Sequence, residues 1–156
     1  MLKLIAALAA CASLGACATV TRGTTTNFDV QTSPTGASVT TTNGYSCAAT
    51  PCSMKMPRKS GFQAMISKPG YKTVNASIGT RVSGGGGAAM AGNLLVGGLI
   101  GGGVDASTGA MLDLRPDPLL ITLEPGEGTV VLNQIQAEQA SAEAGFTFPE
   151  KGKKKR

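Results

Sequence analysis

The sequence predicts a mainly β protein: a small β-sandwich with a glycine-rich insert that is a candidate helix, then a C-terminal helix and a disordered tail. Three observations carry this. Turn signals built on Pro, Gly and Asn recur through residues 27–80 at roughly the eight-to-twelve-residue interval of short paired strands. Between the turns, apolar and polar residues alternate, so each segment can bury one face. Thr and Ser crowd residues 19–50, and with no Trp, two Tyr and four Phe the chain has no large ring-filled core to offer.

Residues 1–16 read as an export signal. Lys3 supplies a positive charge, and Leu4 to Leu14 is almost without polarity. That run is too short for a spanning helix, which needs roughly 20 residues. It closes on Leu14-Gly15-Ala16-Cys17, which resembles the lipobox of bacterial lipoproteins. The resemblance implies that Cys17 becomes the first residue of the mature chain and carries lipid. Leu8-Ala9-Ala10-Cys11 has the same form, but it leaves an apolar region of only about seven residues. An ordinary secretory signal or a plain anchor is the other alternative. Acyl chains contribute about 0.8 kcal/mol per buried CH₂, and more than one chain makes an anchor stable. Ala18 and Thr19 follow the cysteine, with no aspartate. For a lipoprotein this implies sorting to the outer membrane, facing the periplasm.

Residues 17–26 form a tether. The β module of residues 27–80 comes next. Asn27-Phe28-Asp29-Val30-Gln31-Thr32 alternates and reads as a strand. Ser33-Pro34-Thr35-Gly36 turns the chain, because proline presets one dihedral and glycine accepts positive φ. Ala37 to Thr42 is a second strand, closed by the tight-turn pair Asn43-Gly44. Ser53 to Met56 is a third strand, Phe62 to Ser67 a fourth, and Tyr71 to Ile78 a fifth after Pro69-Gly70.

These turns also carry a family resemblance. Thr32-Ser33-Pro34-Thr35-Gly36-Ala37-Ser38-Val39, then Asn43-Gly44, Ala49-Thr50-Pro51-Cys52 and Lys68-Pro69-Gly70-Tyr71, resemble the PEGA family. That family's pattern is a Pro-x-Gly-Ala turn, an Asn/Asp-Gly turn, a Thr-Pro step and a Gly-Tyr step. The resemblance implies a small all-β module of the kind found on bacterial surface and envelope proteins. Thr35 stands where the family has glutamate, and Cys47 and Cys52 are an addition. The family has no agreed catalytic residues, so none is carried over.

Cys47 and Cys52 are the cysteines left once Cys11 is removed and Cys17 is lipidated. In an exported chain a disulfide between them is the first reading, and a reactive thiol the alternative. A zinc site is disfavoured, because there is no histidine and no second cysteine pair.

Residues 81–109 differ in kind. Ten of the twenty residues from Gly84 to Gly103 are glycine. Gly97 and Gly101, and Gly98 and Gly102, repeat at the small-xxx-small spacing that lets helix backbones approach closely. Three readings stand: a short helix packed on the sandwich, a segment that inserts into the membrane, and a self-association helix. Val104 to Ala110 resembles a stretch of small envelope lipoproteins that follows such a run. Asp105 and Thr108 suit a local cap or turn.

Residues 110–128 hold a final strand, Pro118 to Pro125, returning to the sheet. Asp113 and Asp117 flank Arg115, which suggests a surface ion pair. Residues 129–156 are a weak helix, Thr129 to Ala144 with Glu138 and Glu143 exposed, then a basic tail.

Of the net charge of +5, Lys3 supplies one and the tail from Glu150 to Arg156 four, since Cys17 to Pro149 holds eight basic and eight acidic residues. The tail therefore suits anionic headgroups or solvent rather than a nucleic-acid face. Without histidine, Ser-His-Asp, Cys-His and His-metal sites are excluded, and no catalytic, metal or cofactor site is expected. The function expected is a non-enzymatic binding or adaptor module, held to a membrane by its N-terminal lipid and meeting an envelope protein or a glycan. The alternative is an assembly role in which the glycine-rich segment drives oligomerisation or membrane insertion.

Overall fold

A computed structural model of the chain describes residues 23–82 and 109–149. The chain divides into two compact units, residues 1–24 with 82–112 and residues 25–81 with 113–156. Most of the first lies outside the described residues. Of those described in it, Ala110 and Met111 are buried and Val82 is exposed.

The second unit is two sheets and one short helix. In the smaller sheet, β1 (Thr25–Ser33) lies between β4 (Cys52–Pro57), antiparallel to it, and β8 (Leu119–Thr122), parallel to it. The larger sheet runs in the order β3 (Ser46–Cys47), β2 (Ser38–Thr41), β5 (Phe62–Ser67), β6 (Thr73–Val82), β7 (Leu112–Arg115). β9 (Thr129–Leu132) pairs in parallel with the first half of β6.

Alternation is what assembles the core. On β1, Phe28, Val30 and Thr32 are buried, and on β5 Phe62, Ala64 and Ile66 are buried, while the residues between them point out. The Phe28 and Phe62 rings, one from each sheet, meet edge to face at 5.1 Å and 88°. Such a pair contributes about 0.5–1.5 kcal/mol beyond its buried area. Met54, Met56, Leu114, Leu119 and Ile121 fill the remaining space in place of further rings.

The expected strands form with small changes at their ends, and a mainly β, sandwich-like fold results. Tyr71 does not open β6 but makes an isolated bridge to Pro125. β3, β7 and β9 are additional. Residues 110–128 hold two strands, β7 and β8, where one was expected.

The expected helix over Thr129–Ala144 is corrected in its first turn. Residues 129–132 are β9, and α1 spans Gln134–Glu143. Val130 and Val131 are stiff at χ1 and favour a strand. Asn133 then sets the helix start: its Oδ1 accepts the Gln136 N–H at 2.9 Å, and Gln136 Oε1 accepts the Asn133 N–H at 2.9 Å. This reciprocal capping box supplies what the weak alanine face of α1 does not. Ala137 is fully buried in the core. Glu138 is half-buried rather than exposed, and pairs with Arg81 at 3.4 Å. A Cβ at Gly79 would meet the end of the Gln134 side chain, a flexible group that would have to shift.

Candidate functional site

Of the residues singled out in the sequence, Cys17, Gly97, Gly98, Gly101, Gly102, Asp105 and Thr108 lie outside the described residues. Cys47 and Cys52 are described, and they form a disulfide with a Cα–Cα distance of 6.5 Å. Cys47 ends β3, the edge of the larger sheet, and Cys52 begins β4, the edge of the smaller one. The bond therefore ties the two sheets together along one side of the sandwich.

α1 closes the opposite side. It packs on β8 of the smaller sheet and on β9 of the larger. Ser141 Oγ accepts the Leu120 N–H at 3.0 Å and donates to the Leu120 C=O at 3.4 Å. One side chain thus satisfies both outward polar groups of an edge-strand residue, which removes a pairing site.

The turn motifs converge on a buried hydroxyl pair. Thr32 and Thr50 are the buried polar residues of the core, and their hydroxyls lie 2.5 Å apart. Thr32 Oγ1 donates to the Pro34 C=O at 2.7 Å, and Thr50 Oγ1 accepts the Ala37 N–H at 3.1 Å. Backbone bonds from Gly36 N–H to Thr50 C=O and from Thr50 N–H to Ala37 C=O complete the knot. Gly36, Gly44 and Gly70 each sit at positive φ, between +81° and +88°, at the three reversals that join β1 to β2, β2 to β3 and β5 to β6.

Two clefts flank α1. One has a volume of about 340 Å³ and an apolar floor of Val74, Ile121, Val130, Leu132 and Ala140. Its rim holds Lys72, whose Nζ donates to Glu124 Oε2 at 2.8 Å. The other, of about 370 Å³, gathers Arg81, Arg115, Asp117, Glu138 and Ser141 beside Pro116, Pro118 and Leu120.

Asp117 does not pair with Arg115 as the sequence suggested. Its Oδ1 accepts the Asp29 N–H at 3.1 Å and so prolongs the β1–β8 ladder, whose first pair is Val30 with Leu119. Burial pushes the Asp117 carboxyl up to about 6, against the lowering effect of that hydrogen bond. Asp113 pairs instead with Arg58, at 2.7 Å from Nη1.

Among the described residues no cluster of three or more His, Cys, Asp or Glu could hold a metal ion, and no helix is long and apolar enough to cross a membrane. The positioning residues Thr32, Thr50, Asp117 and Ser141 were not singled out as a set by sequence. Only the Asn133-x-x-Gln136 capping box and the β-branched run before it were local signals that sequence could have used. No protein-family model matches the chain, and neither a curated protein nor a solved structure does.

Proposed function

We propose that the chain is a lipid-anchored bacterial envelope protein, held at the outer membrane facing the periplasm, whose β unit is a non-enzymatic binding or adaptor module of PEGA-like type. The observation that carries this is Leu14-Gly15-Ala16-Cys17 at the end of a short apolar run with Lys3 before it. The Cys47–Cys52 disulfide supports it, because such bonds persist outside the cytosol. The PEGA-like resemblance is supported by where its motif residues fall. Gly36, Gly44 and Gly70 occupy reversals at positive φ, and the Thr50 of the Thr-Pro step anchors the first reversal. The membrane is the first partner through the lipid, and an envelope protein or a glycan is the second through the β unit. Labelled palmitate fed to the host tests the anchor: it enters the wild-type protein and not a Cys17→Ala variant.

A second reading is an assembly role, favoured by the repeated glycine spacing at Gly97/Gly101 and Gly98/Gly102. Replacing Gly97 and Gly101 by leucine separates the two. Loss of assembly with the β unit still folded supports the assembly role; unchanged assembly leaves the β unit as the functional part.

A further inference from the structure

The apolar cleft beside α1 runs into the seam between the two sheets. Val74 of β6 and Ile121 of β8 close its floor, one from each sheet, and both are almost fully buried. Val130 and Leu132 of β9 and Ala140 of α1 line it above them. The space is open because α1 turns alanine towards the sheets: Ala137 is buried in the core, and Ala140 and Ala144 follow it on the same face. Its volume of about 340 Å³ is that of a small-molecule site, which is mostly apolar with a few polar groups that fix orientation.

The charge left over at the rim is negative. Among the described residues Lys72 is the base that lines the cleft, and its Nζ is held by Glu124 at 2.8 Å. Glu143 also lines the cleft, is exposed, and makes no hydrogen bond or ion pair with a described residue. Glu127 adds a further exposed carboxylate to the loop that leads from Glu124 to β9. α1 ends at the same rim. A helix C-terminus carries carbonyls without helical partners and about half a negative charge. The last turn of α1 holds no basic residue to offset it.

We propose that this cleft binds a small amphipathic cation, an apolar body that carries a protonated amine. The body lies on Val74, Ile121 and Val130, and the ammonium meets Glu143 and the end of α1. This site goes beyond the envelope partner proposed above, which is a macromolecule. The apolar body is removed from water against the floor. The ammonium stays at the rim, where it keeps part of its hydration and gains a charged acceptor. An anion of the same shape would set its charge against Glu143 while Lys72 is already taken. A neutral ligand would gain the floor alone.

The test uses the full chain in nanodiscs of zwitterionic phospholipid and three probes of one shape: phenethylamine, phenethyl alcohol and hydrocinnamate. The methyl NMR signals of Val74, Ile121, Val130 and Leu132 report occupancy. Phenethylamine should shift them and bind at least tenfold more tightly than the alcohol or the acid. Glu143→Gln changes an exposed side chain without a partner, so the fold is kept. It should bring the amine down to the affinity of the alcohol and leave the alcohol unchanged. Glu124→Gln, which releases Lys72, should weaken the amine and strengthen the acid. Equal affinity for amine and alcohol, or an amine preference that survives Glu143→Gln, overturns the ammonium site. Tightest binding of the acid overturns the charge assignment, and no shift of the four residues' methyl signals with any probe overturns the cleft itself. None of these readouts depends on Cys17, so failure of the lipid anchor is seen separately.

Discussion

Ser141 holds Leu120 by both of its backbone polar groups, and this one contact fastens α1 to the edge of the smaller sheet. Removing the hydroxyl leaves an edge-strand N–H and C=O to find water beneath a helix. Ser141→Ala should cost about 1–2 kcal/mol. Urea unfolding followed by far-ultraviolet circular dichroism measures it, and the slope of the transition should not change.

The Thr32–Thr50 pair is a second point where little chemistry holds much chain. Thr50→Val keeps the shape but leaves the Ala37 N–H without its side-chain acceptor and the Thr32 hydroxyl with Pro34 alone. The expected loss is about 1–3 kcal/mol, because buried polar groups are stranded. Thr32→Val combined with Thr50→Val should cost less than the sum of the single changes, since both break the same bond.

The disulfide closes a small loop, so its entropic contribution is modest, about 2 kcal/mol in the chain-entropy description. Replacing Cys47 and Cys52 by serine should lower stability by about that amount. Hydrogen exchange should quicken first in β3 and β4, the two edges that the bond joins.

Asp117 makes stability depend on pH in an unusual direction for a carboxylate. Its pKa is raised from 3.8 to about 6, so the folded chain holds the proton more tightly than the unfolded chain. This contribution is present in full below 3.8 and is lost as pH rises through about 6. Asp117→Asn keeps an acceptor for the Asp29 N–H and removes the desolvated charge. At neutral pH it should be more stable than wild type, by on the order of 1 kcal/mol. Its melting temperature should vary less with pH across the same window.

The fold was legible where the signals are local. Alternation marked Asn27 to Thr32 and Phe62 to Ser67 as strands, in which Phe28, Val30, Phe62, Ala64 and Ile66 are the buried residues, and the Pro, Asn and Gly pairs marked the reversals. β3 is two residues long and exists only because β2 is beside it, so no periodicity could reveal it. β9 was absorbed into the helix that follows, although Val130 and Val131 argue for a strand and Asn133 for a cap. The candidate site was less legible, because its contacts join distant positions. Asp117 meets Asp29 across 88 residues and Ser141 meets Leu120 across 21, and single residues carry no trace of such partners.

The proposed lipid anchor would place the protein in the envelope, and the intact mass of the protein purified from its own host's membranes without reductant tests it most directly. The expected mass is that of Cys17 to Arg156 with a diacylglyceryl or triacyl addition, less the two hydrogens of the Cys47–Cys52 bond. An unmodified mass, or that of the full chain from Met1, would contradict the anchor and leave the glycine-rich segment as the candidate for membrane attachment.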